Sequence, residues 1–298
     1  MRNSRRLNLR LRPVVMSLAN ILVTLFLVTP LVFTFLAAIQ TEKSLVEDYT
    51  RLLPTEVTTQ NLEVLLFGRA DILKDTGFYH LPKIVFQFMH TFRNSLIIAF
   101  TTTLLNLVIG SMAAYAIARL PARWTKGFMY ANLASRMVPL MVLMIPLFII
   151  MRQLKLLNTL TGTIVALTGF LLPYTIWILY SFFISLPAEL EDAARVDGCS
   201  RFGTFLRIIL PLSAPGIAAA GAIVFILSWN EFFIPFVVTS KPDAMPVPVL
   251  IASLISDWHV YYTLASASVL LGVLPSVVLA LLLQRYVVRG LTAGALKG

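Results

Sequence analysis

The sequence is short of the residues from which most sites are built. It has one cysteine and three histidines in 298 residues. Cys199 alone closes no intrachain disulfide, and His80, His90 and His259 lie too far apart in sequence to form a metal-ligand spacing. Charge is scarce as well: Asp, Glu, Lys and Arg make up 13% of the chain, against about a quarter in ordinary soluble domains. A phosphate-binding loop is also missing. The nearest approach, Gly198 to Gly203, is followed by Thr204 and Phe205 rather than Lys and Ser or Thr, so the chain is not expected to hydrolyse ATP.

What fills the chain is apolar. Hydrophobic residues make up 58% and the mean hydropathy is +0.84, which reads as an all-α integral membrane protein. The formal net charge of +10 is not a nucleic-acid footprint, because the bases gather at the ends of apolar runs rather than on a solvated face. The N-terminal segment carries five arginines and is followed by an uncharged run, 13–39. That run is longer than the apolar core of a signal peptide, about 7 to 15 residues, and is expected to be a retained first span. Five more runs follow at 95–118, 128–151, 159–183, 214–238 and 265–287.

Six spans put both chain ends on one side. Fourteen Lys and Arg fall in the N-terminus, 119–127, 187–215 and the C-terminal end, and nine in the longer alternate segments, so both termini are expected to be cytoplasmic. The polar stretch 40–93 is then an outer loop, with 78–92 as an interfacial piece, and 239–264 another.

The longest polar interruption in the second half is 187–215, PAELEDAARVDGCSRFGTFLRIILPLSAP. Pro187 suits a first helical position, and Glu189, Glu191 and Asp192 suit the positive end of a helix dipole. Gly198 suits a left-handed stop, and Ser200 can cap a second helix towards Leu210, with Pro211 and Pro215 setting its exit. Ala193 and Ala194 offer a smooth face for a partner's groove. By periodicity alone, an amphipathic loop lying on the membrane fits equally well.

These residues resemble the EAA loop of binding-protein-dependent ABC importer permeases: Glu-Ala-Ala, three residues, Gly, nine residues, Ile, one residue, Leu-Pro. Asp192, Ala193, Ala194, Gly198, Ile208, Leu210 and Pro211 fall at those spacings, with Asp192 in place of the usual Glu and Glu191 beside it. The likeness runs from Asn94-Ser95-Leu96 through Trp229-Asn230-Glu231-Phe232 to Gly290-Leu291-Thr292-Ala293-Gly294, and is greatest to the carbohydrate-uptake, maltose-type family and its shorter permease subunit.

The resemblance implies a type I ABC importer permease fold. Residues 1–93 would carry the tail, first span and outer loop, and 94–298 a core permease domain of five spans. It implies a second permease, two cytoplasmic ATPases that hold the ATP and Mg, an extracytoplasmic solute-binding protein, and a bacterial inner membrane. No cofactor, metal or nucleic acid is expected on this chain. Glu191, Asp192, Ala193, Ala194, Asp197, Gly198, Ile208, Leu210 and Pro211 would couple to the ATPases.

Ionisable residues inside spans mark a pathway or an internal pair. Arg136 and Glu231 qualify, and with Asn230 and Trp229 they are the substrate-pathway candidates, read equally as an interhelical clamp with an interfacial aromatic. In the last outer loop Asp257, Trp258 and Tyr261 are candidates for touching a binding protein, or else interfacial anchors. The rival functions are a stand-alone secondary transporter, which needs midplane acids or broken helices in repeated halves, and a non-transporting membrane anchor or assembly subunit, which needs no polar residue within its spans.

Overall fold

The computed structural model describes residues 2–47, 53–54, 56–69, 71–73, 83–120, 123–255 and 260–295. Among them the chain is helical, with no strand beyond an isolated bridge between Ile255 and Val260. It divides into two compact units, Met1–Phe86 with Ser253–Leu271, and Gln87–Ala252 with Gly272–Gly298.

The first unit opens with α1 (Arg2–Ala38), followed by α2 (Glu42–Glu47) and α3 (Gln60–Phe67). From Val15 onwards α1 exposes nearly all its large apolar side chains, as a helix destined for lipid or another chain does. Polar side chains order the segment after it. Asn61 Nδ2 donates to the carbonyls of Ala38 (2.9 Å) and Gln40 (2.6 Å). Buried Glu42 accepts from the backbone of Tyr262 (3.0 Å) and Thr263 (2.9 Å). Its carboxylate therefore sits on orphan N–H groups at a helix start, where negative charge is favoured.

In the second unit α4 (Phe88–Arg119) is inverted relative to a water-soluble helix. Thr91, Ser95, Ala99, Thr102, Asn106, Gly110 and Ala114 are buried, while Phe100, Leu104, Val108 and Met112 are exposed. Small residues facing inwards let membrane helices approach closely. The principal partner of α4 is α7 (Leu160–Ser185), and α11 (Ala214–Trp229) packs on both. At the α4–α7 crossing, a Cβ on Gly110 would lie 2.6 Å from Thr175 Cγ2. Next to it, Thr175 Oγ1 donates to Asn106 Oδ1 across the seam (3.1 Å).

Two of the expected continuous spans are broken. The run at 128–151 becomes α5 (Thr125–Ala134), a 3₁₀ turn Ser135–Met137 and α6 (Leu140–Gln153), bent by 98°. Val138 and Pro139 are extended there, as a residue preceding proline tends to be. The run at 214–238 stops at Trp229 and resumes as a short helix, Phe233–Val238. In the break the Glu231 carboxylate takes the N–H groups of Phe233 and Ile234, and Pro235 falls in the first turn of the short helix, where its missing N–H costs nothing.

Four described stretches, Val15–Ala38, Lys83–Arg119, Leu160–Ser185 and Tyr262–Gln284, are long and apolar enough to cross a membrane, or up to six if each of two bent pairs counts as one. The second bent pair joins Arg201–Leu212 to α11 at 77°.

Candidate functional site

The segment 187–215 folds as two short helices about a glycine corner. After α7, Leu186 is extended, as expected before Pro187, so the proline lies outside the next helix instead of occupying its first position. Ala188 stands at the N-cap position of α8 (Glu189–Val196) without a side-chain cap. Gly198 ends it at φ +83°, with Gly198 N–H donating to the Arg195 carbonyl (3.1 Å) and Cys199 N–H to that of Ala194 (2.9 Å). These two bonds are the Schellman pair, and the left-handed position favours glycine. Ser200 Oγ then accepts from Gly203 N–H (3.1 Å) and starts α9 (Arg201–Thr204). The helix widens into a π turn, Phe205–Ile209, before α10 (Leu210–Leu212). The wider turn suits Pro211, whose ring in a regular helix would press on the Arg207 carbonyl.

The second of these helices is rooted and the first presents a surface. Phe205 and Ile209, one turn apart, are buried in a cluster with Ala114, Ile117, Ile176, Leu179 and Phe183. Ile208 and Leu210 are half-buried and Pro211 is exposed. Asp192, Ala193, Asp197, Gly198 and Phe202 are exposed, and Val196 is 87% exposed. Ala194, by contrast, is 3% exposed. The expected shared face of Ala193 and Ala194 therefore does not exist, because successive helical residues point about 100° apart.

Glu191 also turns inwards. Its Oε1 lies 2.8 Å from Arg119 Nε in an ion pair whose side chains are 16% and 14% exposed. Its Oε2 accepts from Tyr115 Oη (3.1 Å). Arg119 Nη2 donates to the carbonyls of Phe183 (2.9 Å) and Leu186 (2.7 Å) at the end of α7. One guanidinium on the last turn of α4 thus holds the end of α7 and the first turn of α8. Neither Tyr115 nor Arg119 was expected here. Their signal was an aromatic and a base four residues apart at the end of an apolar run, the spacing of one helical face.

The pathway candidates do not form one cluster. Arg136 sits in the 3₁₀ turn at the 98° bend, donates to the Phe170 carbonyl and lies over the rings of Phe170 (3.9 Å) and Tyr174 (4.1 Å). Glu231 lies in the other break, where Oε1 accepts from the N–H groups of Phe233 (3.0 Å) and Ile234 (3.4 Å). Each charge is met by groups near it in the fold, and no Arg136–Glu231 pair forms among the described residues. Asn230 is exposed, with Nδ2 donating to the Ile226 carbonyl (2.8 Å).

Trp229 is packed inside the chain. It is 3% exposed, stacked on Phe225 with ring centres 6.0 Å apart, and its Nε1 donates to the Gly272 carbonyl (2.8 Å). A buried indole needs that partner. Tyr261 is likewise buried, and Asp257 and Trp258 lie outside the described residues. The expected loop 239–264 contains a helix, α13 in chain order (Val247–Ser253) after α12 (Phe233–Val238), and α14 (Tyr262–Ala295) follows. Among the described residues no group of three or more His, Cys, Asp or Glu lies close enough to hold a metal.

The family model described as "Binding-protein-dependent transport system inner membrane component" matches residues 106–293. The sulfoquinovosyl glycerol transport system permease protein SmoH of Agrobacterium fabrum is 38% identical over 213 residues, 71% of this chain and 75% of that protein. The trehalose/maltose transport system permease protein MalG of Thermococcus litoralis is 38% identical over 208 residues, 69% of this chain and 74% of that protein. Among solved structures, a chain of a bacterial ABC transporter involved in the import of the acidic polysaccharide alginate shares the fold with a TM-score of 0.73 at 20% identity, over 93% of this chain and 96% of that one.

Proposed function

The chain belongs to the family of binding-protein-dependent transport system inner membrane components, and from that premise we propose how its parts divide the work of an ATP-driven sugar importer. It is the permease subunit. It pairs with a second permease, with two cytoplasmic ATPases that bind ATP and Mg, and with an extracytoplasmic solute-binding protein. The bent pair α5–α6 crosses once and α11 crosses without Arg201–Leu212, giving six spans with both termini and 187–215 on the cytoplasmic side of a bacterial inner membrane. The excess of Lys and Arg in those segments supports this orientation. Residues 1–93 form the peripheral part and 94–298 the core permease domain.

The segment 187–215 is the ATPase-coupling element. The observation that carries this reading is its division of labour: Phe205 and Ile209 are rooted in the core while Asp192, Ala193, Val196, Asp197 and Phe202 face outwards. Closure of the ATPase dimer moves this element and switches the cavity from inward-facing to outward-facing. The solute is a sugar, polyol or oligosaccharide, a class supported by the relatives named for sulfoquinovosyl glycerol and for trehalose/maltose. Arg136, Asn230 and Glu231, at the two helix breaks, flank its path, since irregular polar backbone at membrane depth is tolerated where it lines a cavity. Asp257 and Trp258 are the remaining candidates for touching the binding protein.

The test is copurification of the ATPase with the membrane subunits. Ala193→Trp, at an exposed position remote from the core, is expected to abolish it while both permeases stay assembled. Undiminished copurification would overturn the coupling role.

A further inference from the structure

We propose that Arg119 is the positioning residue through which movement of α8 enters the membrane body. The proposal rests on the coupling role of 187–215 and adds the path by which that element pulls on the spans. The geometry sets α8 between two corners, with its inward side on α9 and on the end of α4. It is eight residues long, entered through the extended pair Leu186–Pro187 and left through the left-handed Gly198. Both ends are corners, where displacement is absorbed by backbone torsion rather than transmitted. Of its charged side chains, only Glu191 is turned onto the body, one turn from buried Ala194. Glu191 ends on Arg119 and Tyr115, which both belong to α4.

Arg119 has further partners. Its hold on the Phe183 and Leu186 carbonyls ties the end of α7 to the end of α4, and those two helices are already locked further along by the Gly110–Thr175 approach and the Asn106–Thr175 hydrogen bond. A pull on α8 therefore reaches the ends of α4 and α7 together. A planar guanidinium presents donors in several directions at once, which a lysine ammonium on a flexible stem does not match. The competing path runs through Phe205 and Ile209 to the same core. α8 meets that path through its contact with α9 across the Gly198 corner, so variants at Arg119 and Glu191, which leave that contact in place, separate the two.

The experiment uses the complete importer in proteoliposomes, with both permeases, both ATPases, the binding protein and the radiolabelled solute. Solute taken up per ATP hydrolysed is measured for the natural chain, Arg119→Gln, Arg119→Lys, Glu191→Gln and the double variant Arg119→Gln with Glu191→Gln. The ratio is expected to fall about tenfold in both Arg119 variants and several-fold in Glu191→Gln. The double variant should be no worse than Arg119→Gln, since residues acting as one unit are not additive. Because a ratio is read on assembled complexes, a merely structural role would lower their yield and leave it unchanged.

An unchanged ratio in Arg119→Gln overturns the proposal. If that variant does not assemble, an unchanged ratio in Glu191→Gln, which leaves both α7 carbonyls held, overturns it equally. Spin labels on Cys199 and on Arg123→Cys give a second readout. Their separation should persist between nucleotide-free and vanadate-trapped complexes of the natural chain and change in Glu191→Gln; equal behaviour in both backgrounds counts against the clamp. Failure of the unmodified chain to bind the ATPase would instead sink the coupling role itself.

Discussion

Gly110→Ala is the smallest change that tests whether the α4–α7 crossing sets the architecture. In an isolated helix the substitution is favourable by about 1 kcal/mol, because alanine has the higher helix propensity. Here the added methyl would lie 2.6 Å from Thr175 Cγ2 and 3.1 Å from Thr175 Cβ. Thr175 is β-branched and short, so it cannot swing its end away. A changed χ1 carries Oγ1 off Asn106, and an unchanged χ1 forces the helices apart. Overpacking of this kind costs about 1–3 kcal/mol, and a hydrogen bond between membrane helices is worth about 0.6 kcal/mol on average. The balance is a loss of about 1–2 kcal/mol, or a few degrees in midpoint at about 2–4 °C per kcal/mol for a chain of this order of size. The assay is the thermal midpoint of the detergent-purified permease pair, with Thr175→Ser as a partner substitution. Serine removes Cγ2 and keeps the hydroxyl, so the double variant should recover more than half of the loss although Thr175→Ser alone costs little. A Gly110→Ala chain melting at or above the natural midpoint would refute the reasoning, because propensity would then outweigh a contact that the geometry forbids.

Two further outcomes rest on single carboxylates. Glu42→Ala removes the acceptor of the Tyr262 and Thr263 N–H groups and should cost about 1–2 kcal/mol, the upper range for a lost helix cap, read as faster hydrogen exchange at those amides. Glu231→Gln keeps an oxygen able to accept from Phe233 and Ile234 but removes the charge; assembly should be within twofold of natural while uptake falls several-fold, and normal uptake would remove Glu231 from the pathway.

Composition made the class legible, and the apolar runs located the described helices that are long and apolar enough to cross a membrane. Runs count hydrophobic residues, however, and do not see where a helix stops. The two breaks fall inside runs that stay apolar on both sides: one at extended Val138–Pro139, the other where Glu231 Oε1 takes the N–H groups of Phe233 and Ile234. All the prolines in the spans were visible, yet Pro146, Pro173 and Pro275 lie within continuous helices, so a proline alone does not predict a break. At the 187–215 segment the stop at Gly198 and the cap at Ser200 were legible, because each is a local rule about one residue's torsion or side chain. Which carboxylate faces in was not, because Tyr115 and Arg119 lie more than seventy residues away in sequence from Glu191. Trp229 shows the same limit: nothing nearby announced the Gly272 carbonyl that takes its N–H.

The inward turn of Glu191 also separates its surroundings from those of the short carboxylate at Asp192. Neighbouring residues on a helix diverge by about 100°, so the two cannot share a role: Glu191 reaches α4 and Asp192 stays in solvent. The inward position has the stricter requirement, since both oxygens are used at once, one 2.8 Å from Arg119 Nε and the other 3.1 Å from Tyr115 Oη. Withdrawing that carboxylate by one methylene, about 1.5 Å, would put both partners beyond hydrogen-bond range unless α8 itself moved inwards. The outward position has no such fixed geometry within the chain. A shorter side chain is therefore compatible with the chain's own packing at Asp192, which is exposed, and the longer one stands where the distance is set by the chain's own helices.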